Sequence, residues 1–144
     1  MSALSEKVRV ALYAKMNVAG VTALATGGIH HLVAPENAVK PYIVFNRQAA
    51  ADVTRAFQNN LIAENDVWLI KAISDEDSST TKEPQQLNQD ILTAVETAIG
   101  NSLTLAGGSE TWNVERVSDI PESIETRNDR AIYYNGFLLE IWSH

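Results

Sequence analysis

The sequence predicts an α+β fold: a single mostly antiparallel sheet packed with an N-terminal helical segment and one long central helix. Three observations predict it. Apolar residues recur at three- and four-residue steps near the N-terminus and again between Pro84 and Ile99. Between and after those stretches, short apolar or alternating runs are separated by Gly, Pro, Asn and Asp. The 144 residues carry no internal repeat and suit one domain over 1–144, long enough to bury a real core.

Leu4, Val8, Ala11, Leu12 and Met16 form the inner stripe of a helix over 4–16, with Lys7, Arg9 and Lys15 off that stripe. After Gly20, "VTALATGG" reads as a shorter second helix. Its Val21 and Leu24 face inward, and Gly27–Gly28 stop it. "IHHLV" is a short extended segment, and "APENAVKP" is turn-rich. Pro41 fixes its own φ and biases Lys40 to an extended shape. "YIVFNRQ" then reads as a strand, with Ile43 and Phe45 on one face and Tyr42 and Val44 on the other.

Residues 49–65 read two ways. The alanines suit a helix, whereas Val53, Thr54 and Phe57 suit extended chain. "DVWLIKAIS", from Asp66 to Ser74, is apolar on both faces and belongs in the middle of a sheet. "SDEDSSTTKEPQQ" has no apolar residue except Pro84 and is expected to be a mobile acidic loop at about 74–84. Pro84 suits the first turn of the next helix. That helix runs to about Ile99 on an inner stripe of Leu87, Ile91, Ala94, Val95, Ala98 and Ile99, and Gly100 is its natural stop.

The remainder is β-rich: "ETWNVERVSDI", "ESIET", "RAIYY" and "FLLEIW". Asn128 and Asp129 fit a tight turn. Asn135–Gly136 fits either a type I′ hairpin turn or a bulge inside one long last strand. Of the three tryptophans, Trp68 belongs to the core. Trp142 is a candidate to cover a sheet edge or seal a subunit contact.

Composition narrows the function. Hydrophobic residues make up 45% and charged residues 20%, the balance of a soluble globular protein. No cysteine is present, which excludes disulfides and thiolate metal sites. No run is apolar enough for a signal peptide or a membrane span, so the chain is expected to stay in the cytoplasm where it is made. Eleven basic residues stand against 18 acidic ones, a net charge of −7, without a basic run. Gripping nucleic acid needs cations against phosphates, so surface binding of DNA is not expected, although DNA can pass nearby.

The candidate chemistry is thin. In an extended segment His30 and His31 point to opposite faces and do not share one metal. The glycine pairs Gly27–Gly28 and Gly107–Gly108 lack phosphate-loop and dinucleotide spacing. "GGSET" is not a nucleophile elbow. The carboxylates cluster in the acidic loop, where nothing shields them. No catalytic, cofactor or metal residue is assigned, and no enzyme is expected.

Several phrases, in their order, resemble the tail-completion and tail-terminator (head–tail joining) proteins of long-tailed bacteriophages. They are "VRVALYAKM", "VTALATGGIHHLVAP", "KPYIVFN", "DVWLIKAIS", "LNQDILTAVETAIGNSLTL" and the closing "YYNGFLLEIW". The resemblance covers nearly the whole chain, but residues 49–65 do not align and the acidic loop is long. It implies a structural virion protein at the head–tail interface, assembled in the host cytoplasm. Such a protein forms a hexameric ring around the DNA channel, touching the tail-tube protein and a head-completion or connector protein. On that reading Asp75, Glu76, Asp77, Lys82 and Glu83 form a candidate interaction loop. Pro35, Glu36, Asn37 and Trp142 are candidate protomer contacts. Two other classes stay open: a cytoplasmic α+β adaptor or regulatory module without catalytic activity, and a small enzyme with an unrecognised pocket.

Overall fold

The computed structural model describes residues 3–55, 61–105 and 111–142, and their side chains over 6–48, 66–105 and 111–142. Helix α1 (Ala3–Met16) and the single turn α2 (Ala19–Thr22) open the chain. Strands β1 (Ile29–His31), β2 (Tyr42–Arg55) and β3 (Leu61–Asp75) follow. Next come a 3-10 turn (Glu76–Ser78) and helix α3 (Pro84–Ile99). Strands β4 (Ser102–Thr104), β5 (Thr111–Arg127) and β6 (Arg130–Trp142) complete the fold. The six strands form one sheet in the order β1-β2-β3-β6-β5-β4. Every pairing is antiparallel except β1 with β2, which is parallel. The α+β architecture is as the sequence predicts.

One face of the sheet carries the helices. Val8, Leu12 and Met16 of α1, Val21 of α2, and Leu87, Ile91, Val95 and Ile99 of α3 are buried there. They meet Ile43 and Phe45 of β2, Trp68, Ile70 and Ala72 of β3, and Phe137, Leu139 and Ile141 of β6. At about 25 cal/mol per Å2 of apolar area removed from water, this layer dominates the stabilisation. The described members of the α1 and α3 stripes are buried or packed against the core because a 3.6-residue period keeps them on a single side, and the Leu4 side chain lies outside the described ones. The second helix is one turn that starts before Gly20 and ends at Thr22, leaving Leu24 beyond it, half-buried. Pro84 occupies the first turn of α3, and Gly100 ends it at φ 67, where a side chain is disfavoured.

The two-way reading of 49–65 resolves, in the described residues, as strand. The backbone is β2 to Arg55 and β3 from Leu61, and Phe57 lies outside the described residues. "ETWNVERVSDI" and "ESIET" are not two strands. They join as β5, whose register shifts between Ile120 and Ser123, around Pro121. A bulge is where a strand tolerates a residue without an N–H. Asn135–Gly136 is no hairpin turn. It lies inside β6, where Ala72 and Lys71 of β3 stand opposite it. A Cβ on Gly136 would lie 2.6 Å from the Ile70 carbonyl oxygen, so only glycine fits there. The tight turn is Asn128–Asp129, with φ 52 and 62 at its two residues, the signature of type I′.

Candidate interaction face

Among the described residues no helix packs on the second face of the sheet. Its centre is a small apolar cluster of Val44, Ile73 and Ile132, with Ala34, Tyr42 and Tyr134 packed against it. The segment 32–41 folds over this cluster, because three local features turn the chain there. Leu32 sits at φ 69 directly after β1, ending the strand. The Gly27 amide donates to the Pro41 carbonyl at 2.8 Å, pinning the return of the loop. A Cβ on Gly27 would fall 1.5 Å from the Val39 carbonyl oxygen, so the two backbones meet only because residue 27 has no side chain.

Between this loop and the sheet lies an open groove of about 810 Å3. Leu32 to Glu36 form one wall, Val44, Lys71 and Ile73 the floor, and Glu125, Arg127 and Arg130 of the β5–β6 hairpin the far side. Leu32, Val33 and Val39 of the loop are 64%, 75% and 66% exposed, a high share for side chains that gain by burial.

The polar end of the groove is a connected set. The Tyr134 hydroxyl donates to Glu125 at 2.7 Å, and the Arg127 guanidinium donates to the same carboxylate at 2.7 Å. Burial, and then the Glu125 carboxylate, push the Tyr134 phenol up to about 12. The Arg127 hydrogen bond, followed by that of Tyr134, holds the Glu125 carboxyl below its ordinary value. The Lys71 ammonium lies over the Tyr134 ring, 5.7 Å from its centroid. This arrangement holds its own charges; it presents a polar rim beside apolar wall residues, as contact surfaces do.

The sequence candidates separate into three places. Pro35 and Glu36 line the groove, with exposed Asn37 beside them in the same loop. Asp75 lines it as well, and it caps the 3-10 turn: its carboxylate accepts from the Asp77 amide at 3.1 Å and the Ser78 hydroxyl at 3.0 Å. Arg130, the first residue of β6, pairs with Asp77 and reaches Asp75. Lys82 instead pairs with Asp90 of α3, and Glu83 occupies the N-cap position of that helix without a side-chain cap. Trp142 lies apart at the far end of β6, half-buried between Asn65 of β3 and Asn113 of β5.

The histidines alternate as expected. His30 Nε2 lies 2.9 Å from the Gly27 carbonyl oxygen, and its ring meets Tyr42 on the open face. His31 packs at a tilt against Phe45 and Trp68 on the helix side, at centroid distances of 5.4 and 6.1 Å. Burial, with Arg9 adding to it, pushes the His31 imidazole below its ordinary value. Among the described residues no three His, Asp or Glu side chains gather as a metal set, and no helix is long and apolar enough to cross a membrane.

Sequence reasoning missed the Tyr134–Glu125–Arg127 set and a buried amide pair. Asn88 of α3 donates to Asn135 Oδ1 at 3.0 Å and to the Tyr133 carbonyl at 3.1 Å, with both asparagines buried. The one available clue was a polar residue beside the apolar stripe of α3.

No protein-family model matches this chain, and no curated protein matches its sequence. Among solved structures, the chain is similar to one in the virion of a native gene transfer agent (GTA) particle. That match has a TM-score of 0.63 at 15% identity, over 100% of this chain and 100% of the other. At that identity the likeness establishes a shared fold, end to end.

Proposed function

We propose that this protein is a structural component of a phage-like virion. In this reading it completes the tail and joins it to the head connector, as a hexameric ring around the DNA channel. The observation that carries the reading is the end-to-end likeness of fold to a chain from a GTA virion. Further support comes from the surface. The exposed Leu32, Val33 and Val39 make the loop over the open sheet face a contact element for another protein. The net charge of −7 favours letting DNA pass over gripping it. The proposed partners are further copies of the chain, the tail-tube protein and a head-completion or connector protein. The proposed location is the virion, after assembly in the host cytoplasm.

The loop over about 74–84 is proposed as the element that meets the tail tube. Asp75 and Asp77 are engaged by Arg130, and Lys82 by Asp90, whereas Glu76 and Glu83 make no ion pair among the described residues. Electron microscopy of the purified protein with and without tail tubes tests the reading. Six-fold rings, or discs capping tube ends, are expected. A protein that binds neither itself nor tail tubes overturns it.

A further inference from the structure

We infer that copies of this chain join by strand addition, the outer edge of β5 at Ser123–Arg127 pairing with the outer edge of β2 in the next copy. This rests on the self-association proposed above and says which backbone makes the contact. Among the described residues, β1 pairs with β2 at 43–45 and β4 pairs with β5 at 111–113. One further hydrogen bond, from the Val114 amide to the Asn101 carbonyl, lies beside β4. Beyond these, among the described residues, β2 over 46–55 and β5 over 115–127 have a strand on their inner side only. Exposed strand edges present rows of donors and acceptors that template another strand.

The two edges match in direction. β2, β3, β6 and β5 alternate, so β2 and β5 run opposite ways at opposite margins of one sheet. A second copy carried alongside therefore sets its β2 antiparallel to this β5 and extends the sheet without inversion. β1 covers the start of β2, and β4 covers the start of β5, which lies at the other end of the sheet. The free stretches are thus diagonal, and the neighbour shifts along the strands to bring them together. Such a contact uses two different surfaces, so it is heterologous, the kind of contact from which rings are built when its rotation closes.

The register locates the contact. Arg127 and Arg130 flank the type I′ turn and exchange the first hydrogen bonds of the hairpin. Alternation then turns the amides of Ser123 and Glu125 toward β6, and the N–H and C=O groups of Ile124 and Thr126 outward. Upstream, Pro121 and two register shifts interrupt the β5 edge, and on β2 three register shifts leave Asp52–Thr54 as the regular stretch, which confines addition to these two segments. Ile124 adds a 59% exposed apolar side chain at the same place.

Thr126→Pro removes an outward donor and leaves the inward ladder intact. It should raise the concentration needed for assembly about tenfold or more by light scattering, while Thr126→Ala stays near wild type. The chain has no cysteine, so Thr54→Cys with Thr126→Cys should give an oxidised ladder of oligomers that neither single variant gives. That ladder decides the matter if Thr126→Pro fails to fold. A wild type that assembles with no ladder and an unaffected Thr126→Pro overturns the surface and leaves the ring reading standing. Dimers from Thr126→Cys alone, without a ladder from the pair, overturn β2 as the partner edge. A wild type that remains a single chain at every concentration overturns both.

Discussion

The Tyr134 hydroxyl and the Glu125 carboxylate, diagonal to each other across β6 and β5, form a 2.7 Å hydrogen bond at the rim of the open groove. The phenol is held neutral there, raised from its ordinary value near 10 to about 12. An unfolded chain would release that proton near pH 10, whereas the folded one keeps it. Stability therefore falls as pH rises between about 10 and about 12. Tyr134→Phe should flatten this fall, read by thermal melts across alkaline pH. The Glu125 shift has the opposite sign. Its contribution is present above the ordinary glutamate value and is lost as pH drops through the lowered one.

Arg47 and Asp66 pair β2 with β3 near the end of the core. Arg47 Nη2 lies 3.0 Å from Asp66 Oδ1 and Nε lies 3.1 Å from it, and the carboxylate is 2% exposed. Arg47→Ala leaves a buried charge without this partner and should destabilise the fold by about 3 kcal/mol. Asp66→Asn in the same background should restore part of that, because a neutral amide costs less to bury. Denaturant melts of the two variants check this.

The buried amide pair couples α3 to β6. Asn88→Ala leaves Asn135 Oδ1 and the Tyr133 carbonyl without the amide that bonds them, at a cost of about 2 kcal/mol. Because the two asparagines share a hydrogen bond, the losses in Asn88→Ala and Asn135→Ala should not add. A double-mutant cycle should read a coupling of about 1 kcal/mol.

Gly27→Ala tests the loop. Its Cβ would overlap the Val39 carbonyl, so residues 32–41 must move off the open face or the turn must break. A loss of about 2 kcal/mol is expected, with faster amide exchange confined at first to 27–41. Unchanged exchange there would mean that the loop is held by other contacts.

Much of the fold was legible in the chain because it follows from local periodicity. The helix stripes through Val8 and Leu12 and through Leu87, Ile91 and Val95 are buried as read. So are the two faces of β2 and the central place of Asp66 to Ser74, since alternation and hydrophobicity are properties of neighbours in sequence. The candidate contacts were legible only in part. Pro35 and Glu36 stand out as turn residues, but that Asp75 shares their groove follows from the loop folding back over Ile73 and Ile132.

The sequence by itself determined the α+β class, the first and the long helix, the tight turn at Asn128–Asp129 and the separation of His30 from His31. Each is fixed by backbone preference or side-chain period within a few residues. Only the tertiary structure decided that Asn135–Gly136 runs through β6, that β5 continues past Pro121 with a register shift, and which edges of the sheet stay open among the described residues. Those outcomes depend on which strand lies alongside. Strand pairing is a long-range choice made by the whole core, and no window of the chain contains both partners.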